Sequence, residues 1–70
     1  MTEKRWNEIT SRCPGSWFWN REDAQSYGTI TVDADHALAA LDYLRRKVSL
    51  QGIRPHLSEA NAIVIMLSER

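Results

Sequence analysis

The sequence predicts a small α+β domain, mostly α, on three observations. Apolar residues alternate with threonines at Thr29–Val32, an apolar stripe recurs at three- and four-residue intervals over 34–50, and an apolar tail follows Ser58. Seventy residues give room for one domain with a thin core. With 43% hydrophobic and 26% charged residues, the chain lies in the ordinary globular range, which excludes wholesale disorder despite a slightly negative mean hydropathy.

Taken in order, residues 2–13 fit a short helix with Thr2 as N-cap and Trp6, Ile9 and Cys13 on one side, stopped by Pro14-Gly15. Ser16-Trp-Phe-Trp19 is rich in strand formers, and Asn20-Arg-Glu-Asp23 reads as a polar turn before Tyr27-Gly-Thr-Ile-Thr-Val32. In Thr29-Ile30-Thr31-Val32 the period of two is that of a strand with one buried face. Asp33 suits an N-cap, Asp35 the positive end of a helix dipole and Arg45-Arg46-Lys47 the negative end. Ala34, Ala37, Leu38, Leu41, Leu44 and Val48 then make one face of a helix over 34–50, with Gly52 as its C-cap glycine.

The tail has two readings. As a helix, Ser58 is its N-cap, Glu59 lies in the first turn, and Ala60, Ile63, Val64 and Leu67 share a face. As strands, Ile53-Arg-Pro-His-Leu57 alternates, Ser58–Asn61 turns, and Ala62–Leu67 is a buried run. The second reading gives a ββαββ domain with helix 34–50 packed on an antiparallel sheet. Periodicity does not separate the two.

The lone Cys13 leaves no internal disulfide and no zinc-ligand spacing, so self-association is the remaining aid to stability, and a homodimer is expected. The start of the chain has no signal-peptide character and the longest apolar run, Ala62–Leu67, is too short to span a bilayer; a cytoplasmic protein with no membrane partner is expected. Nine basic and nine acidic side chains cancel, so any affinity for nucleic acid must come from local patches.

The order Thr29-Ile-Thr-Val32, an Asp33-capped helix with Ala40-Leu-Asp42, then Gly52 and Ser58-Glu-Ala60 opening an apolar segment resembles the ribbon-helix-helix DNA-binding family over residues 28–70. That resemblance implies an intertwined homodimer, with residues 1–27 as an aromatic-rich extension. Its function would be that of a transcriptional repressor or antitoxin-like regulator bound to double-stranded DNA. Thr29 and Thr31 would face base edges in the major groove, and the amides near Ser58 and Glu59 would hold a phosphate. Arg54, Ser58 and Arg45, Arg46 and Lys47 would supply phosphate contacts.

A different class fits the neutral charge and the aromatic leader: a non-catalytic interaction protein, of the kind mobile genetic elements use to block a host protein complex. Trp17, Phe18 and Trp19, with Trp6, would then form the partner surface, aromatic residues being enriched where one protein anchors in another. Core filling is the competing role for the tryptophans. No enzyme is expected. His36 and His56 fall in no metal-ligand spacing, no catalytic signature surrounds Cys13, and Gly15, Gly28 and Gly52 are too far apart for a phosphate loop. Asp33 and Asp35 are accounted for by capping, and no catalytic residue, metal or cofactor is assigned.

Overall fold

The computed structural model describes residues 2–23 and 27–70; Met1 and 24–26, which fall in the stretch set apart above as an extension, lie outside it. Helix α1 spans Glu3–Ser11, strand β1 Ser16–Asp23 and strand β2 Tyr27–Asp33. A 3-10 turn at Ala34–His36 leads into helix α2, Ala37–Arg45, followed by β3 at Ser49–Pro55 and β4 at Ala62–Ser68. The four strands form one antiparallel sheet in the order β1-β2-β4-β3.

This arrangement corrects the ribbon-helix-helix expectation and the mostly-α class. That fold needs one strand, free to pair with a second copy, and two following helices. Here β2 is paired on both sides within its own chain, by β1 and by β4, and the tail is a central strand. The reason lies in the residues of 62–68. Ile63, Val64 and Ile65 are β-branched in succession, which favours a strand, and in a central strand such side chains pack on either face against those of the strands alongside. The inner side of β4 places Ile65 and Leu67 in the core, and its outer side buries Val64. A helix would turn half of this run to water. After α1, the order of elements is that of the ββαββ reading.

Both helices cover the same face of the sheet. Trp6, Ile9 and Cys13 pack with Ala40, Leu44 and Val48 against Ile30, Val32, Ile65 and Leu67. Residues 2–13 behave locally as their pattern demands. The Thr2 hydroxyl accepts from the Arg5 amide at 3.1 Å, Trp6 and Ile9 point inward, and the Tyr43 hydroxyl of α2 donates to the Ile9 carbonyl at 2.8 Å, tying one helix to the other. The partly buried Tyr43 bond contributes about 1 kcal/mol net.

Pro14-Gly15 turns the chain into β1, and here glycine is required. Its φ is +70°, and an added Cβ would lie 2.5 Å from the His36 Cβ. The Gly15 carbonyl accepts from the Asp33 amide at 2.9 Å, while the next amide, Ala34, donates to Asn61 at 2.7 Å, so three connections meet at one end of the sheet.

Two further expectations need correction. The helix predicted over 34–50 is confined to 37–45 after its 3-10 turn, because Val48 enters the core outside the helix and Ser49 already pairs with Ser68. Gly52 is therefore a strand residue opposite Met66 rather than a helix cap. Asn20–Asp23, read as a turn, continues β1 to its end.

Candidate functional site: the helix-free face of the sheet

Cross-strand partners share a face, so the register defines what the uncovered side presents. Thr31 pairs with Phe18 on β1 and with Val64 on β4, and Val64 pairs with Arg54 on β3. A second row runs from Asn20 through Thr29 and Met66 to Gly52. These residues alternate with the core-facing Trp19, Ile30, Val32 and Ile65, and so stand on the side without helices.

An irregularity in β1 alters what this face shows. Ser16 lies opposite Val32 and Phe18 opposite Thr31, so Trp17 is an extra residue with no partner across the ladder. Such a bulge re-aims side chains. Strict alternation of Trp17-Phe18-Trp19 would send both tryptophans to one side; instead Trp19 turns in and stacks on Trp6, with ring centroids 6.0 Å apart and planes 9° apart. Trp17 and Phe18 are left 54% and 59% exposed, with the Trp17 ring 5.9 Å from that of His56 beyond the far edge strand.

On this face lies a concavity of about 320 Å³ lined by Phe18, Asn20, Thr29, Thr31, Arg54, His56, Leu57, Ser58 and Val64. The connector from β3 to β4 forms one wall. His56 organises it: the Nδ1 atom accepts from the Ser58 amide at 3.1 Å and the Glu59 amide at 3.0 Å. An acceptor at Nδ1 leaves the ring proton on Nε2, so the second nitrogen is a donor. Leu57, held in this turn, is 92% exposed beside the concavity.

The residues singled out in the sequence divide three ways. Thr29, Thr31, Arg54 and Ser58 come together with Phe18 in the concavity, though as neighbours in one chain and not across a dimer. The amides of Ser58 and Glu59 are not a helix N-terminus awaiting phosphate, since His56 occupies both. Arg45, Arg46 and Lys47 end α2 on the helix-bearing side. Asp42 pairs with Arg45 at 2.8 Å and Arg46 at 3.0 Å, and Lys47 lies 5.7 Å from the Tyr43 ring centroid. Trp6 and Trp19, expected on a partner surface, belong to the core: Trp6 is fully buried and Trp19 packs against it. Of that aromatic set only Trp17 and Phe18 remain at the surface.

Asn20, His56, Leu57 and Val64 complete the site without having been assigned to it. The alternation over Ile53–Leu57 carried a signal for His56, because it places Arg54 and His56 on one side of a strand. Nothing local marks Asn20 or Val64, which reach the site through pairing with β2.

Among the described residues no three His, Cys, Asp or Glu side chains converge as metal ligands, and no helix is long and apolar enough to cross a membrane. Burial pushes the Cys13 thiol up from its ordinary 9.0 to about 11, which keeps it protonated and unreactive at neutral pH. Burial is also the first cause raising the Tyr43 hydroxyl above its ordinary 10.0. A raised folded-state value means that the stabilising contribution is complete below the unfolded value and is lost as pH climbs through the folded one. The Cys13 contribution is therefore expected to disappear between pH 9.0 and about 11. Urea midpoints measured across this window should fall for the wild type and fall less steeply for Cys13→Ala, the remainder reporting Tyr43. Comparison with protein-family models, with curated proteins and with solved structures finds no match for the chain.

Proposed function

We propose that this chain is a non-catalytic binding protein that docks a protein partner on the helix-free face of its sheet. One observation carries the reading: at a strand bulge two adjacent aromatics stand exposed, Phe18 lining a concavity that Leu57 also borders and Trp17 lying against His56 of the same lining. Exposed aromatic clusters beside a pocket are the usual anchors of protein interfaces, where a few such side chains account for most of the affinity. A binder of this size acts by occupying a partner's surface and excluding whatever else would bind there.

Reading of operator DNA loses its physical basis together with the two-chain ribbon. Binding of a single nucleic-acid strand, another use of an open sheet, relies on a positively charged track with aromatics along it. Here acidic and basic residues balance at nine each, and the concavity holds one arginine.

Site-specific photocrosslinking tests the proposal. A benzophenone amino acid placed at Phe18 should join the chain to one discrete protein in cells of its source. The same group at Leu38, 85% exposed on α2, should not. Crosslinks favouring Leu38, or joining Phe18 to nucleic acid, would refute the assignment of this face. A crosslinked product of two copies of the chain would make the homodimer expected from composition the occupant.

A further inference from the structure

We propose that the concavity receives a side-chain carboxylate from an acidic, partly apolar segment of the partner, with Arg54 as the anchor. This rests on the docking role given to the face in the preceding section and adds the chemistry of what docks.

The argument is one of charge and hydrogen-bond complementarity. Of the nine residues lining the concavity none is acidic, whereas Asn20, Thr29, Thr31, Arg54, His56 and Ser58 all carry donors. Three other arginines are engaged by carboxylates on their own helices: Arg45 and Arg46 both reach Asp42, and Arg5 lies 3.9 Å from Glu8. Arg54 makes no hydrogen bond or ion pair among the described residues, and its cross-strand neighbour is the apolar Val64. The side chains of Thr29 and Thr31 are likewise without hydrogen bonds among the described residues, and Thr31 is only 4% exposed. A guanidinium on an apolar floor beside unfilled hydroxyls is suited to a planar carboxylate, which it binds through two parallel hydrogen bonds. Phe18 and Leu57 at the rim provide apolar area for the residues on either side of that carboxylate.

The alternative anion, a nucleic-acid phosphate, would need several cations in series, because each phosphate contact contributes modestly and is weakened by salt. A lone arginine between aromatic and aliphatic side chains matches a peptide in which one acidic residue sits among apolar ones.

The test uses the full chain to select from a display library of random twelve-residue peptides, in parallel with Arg54→Met, Arg54→Lys and a Trp17→Ala/Phe18→Ala double variant. Amide spectra would first establish that each variant keeps the wild-type fold. Selection on the wild type should enrich Asp or Glu next to aromatic or aliphatic residues. Arg54→Met should still select apolar peptides but lose the acidic enrichment. Peptides chosen by the wild type should bind Arg54→Met about tenfold or more weakly, as expected for loss of a charge-assisted pair. Arg54→Lys, which keeps the charge and loses the fork, should fall between. The double variant should select nothing.

Wild-type peptides without acidic enrichment, or the same enrichment on Arg54→Met, would overturn the carboxylate assignment while leaving the docking face intact. Equal selection by the double variant would remove the docking face itself. Failure to enrich any peptide would overturn the inference. So would a fluorescent twelve-residue oligothymidylate that binds through Arg54 and displaces the selected peptides, in that case in favour of nucleic acid.

Discussion

Replacing Trp6 with alanine is expected to abolish cooperative folding at 25 °C. Trp6 is fully buried, stacks on Trp19 of β1, and shares its cluster with Ile9, Cys13, Ala40 and Leu44, so it is the side chain through which α1, α2 and the sheet meet. Truncating a buried aromatic to alanine costs about 3–5 kcal/mol. At roughly 0.05–0.15 kcal/mol per residue, a chain of this length has a total stability of only about 4–10 kcal/mol. The loss is comparable with the whole. Urea unfolding followed by far-ultraviolet circular dichroism should show a broad or absent transition, and a midpoint near that of the wild type would contradict this account of the core. Trp6→Phe should be milder for a specific reason. The indole Nε1 atom is buried without a hydrogen-bond partner among the described residues, and phenylalanine removes this unmet donor along with part of the stacking area.

Trp6 also illustrates what the sequence made legible. Its spacing with Ile9 and Cys13 identified the buried side of α1, and the Thr2 and Asp33 caps lie where the residue types place them. These are local matters, decided within one turn of chain. The tail was not local. Ala60, Ile63, Val64 and Leu67 satisfy a helical stripe as well as Ala62–Leu67 satisfies a buried strand, and the decision falls to β2 and β3, which lie on either side of β4. Leu38 shows the same limit in reverse. It belongs to the apolar stripe by spacing, yet α2 presents Ala40 and Leu44 to the core and leaves Leu38 outside.

The candidate site was legible only in pieces. Thr29 and Thr31 were set facing outward by alternation, and they do line the concavity, but the ligand implied for them came from a two-chain ribbon, whereas β2 is paired on both sides by strands of its own chain. Arg54 and Phe18 appeared on separate surfaces in the sequence. They share one because β2 pairs with β4, which sets the β1–β2 pair beside the β3–β4 pair across a distance in the chain that no short window spans. The bulge that aims Trp17 and Phe18 the same way leaves no mark in a run of three aromatics.

That bulge gives the second large prediction: deleting Trp17 should leave the fold intact and disable the binding face. Because Trp17 is the unpaired residue, its removal restores regular pairing in which Ser16 still meets Val32, Phe18 still meets Thr31, and Trp19 still reaches Ile30 and Trp6. Stability is expected to change by no more than about 1 kcal/mol, as for a surface change that touches no core contact. A one-residue deletion at Val64 should behave in the opposite way. In β4 it would throw Ile65 and Leu67 onto the wrong face, since a slip of one residue inverts the sidedness of everything beyond it. For the partner crosslinked through Phe18, loss of Trp17 should reduce affinity roughly thirty-fold or more, the effect of removing an interfacial aromatic anchor worth about 2 kcal/mol. Calorimetric titration of the deletion variant, beside its urea midpoint, separates the outcomes. Unfolding would show that the bulge serves the fold, and affinity within a few-fold of the wild type would leave Phe18 and Leu57 as the anchors without Trp17.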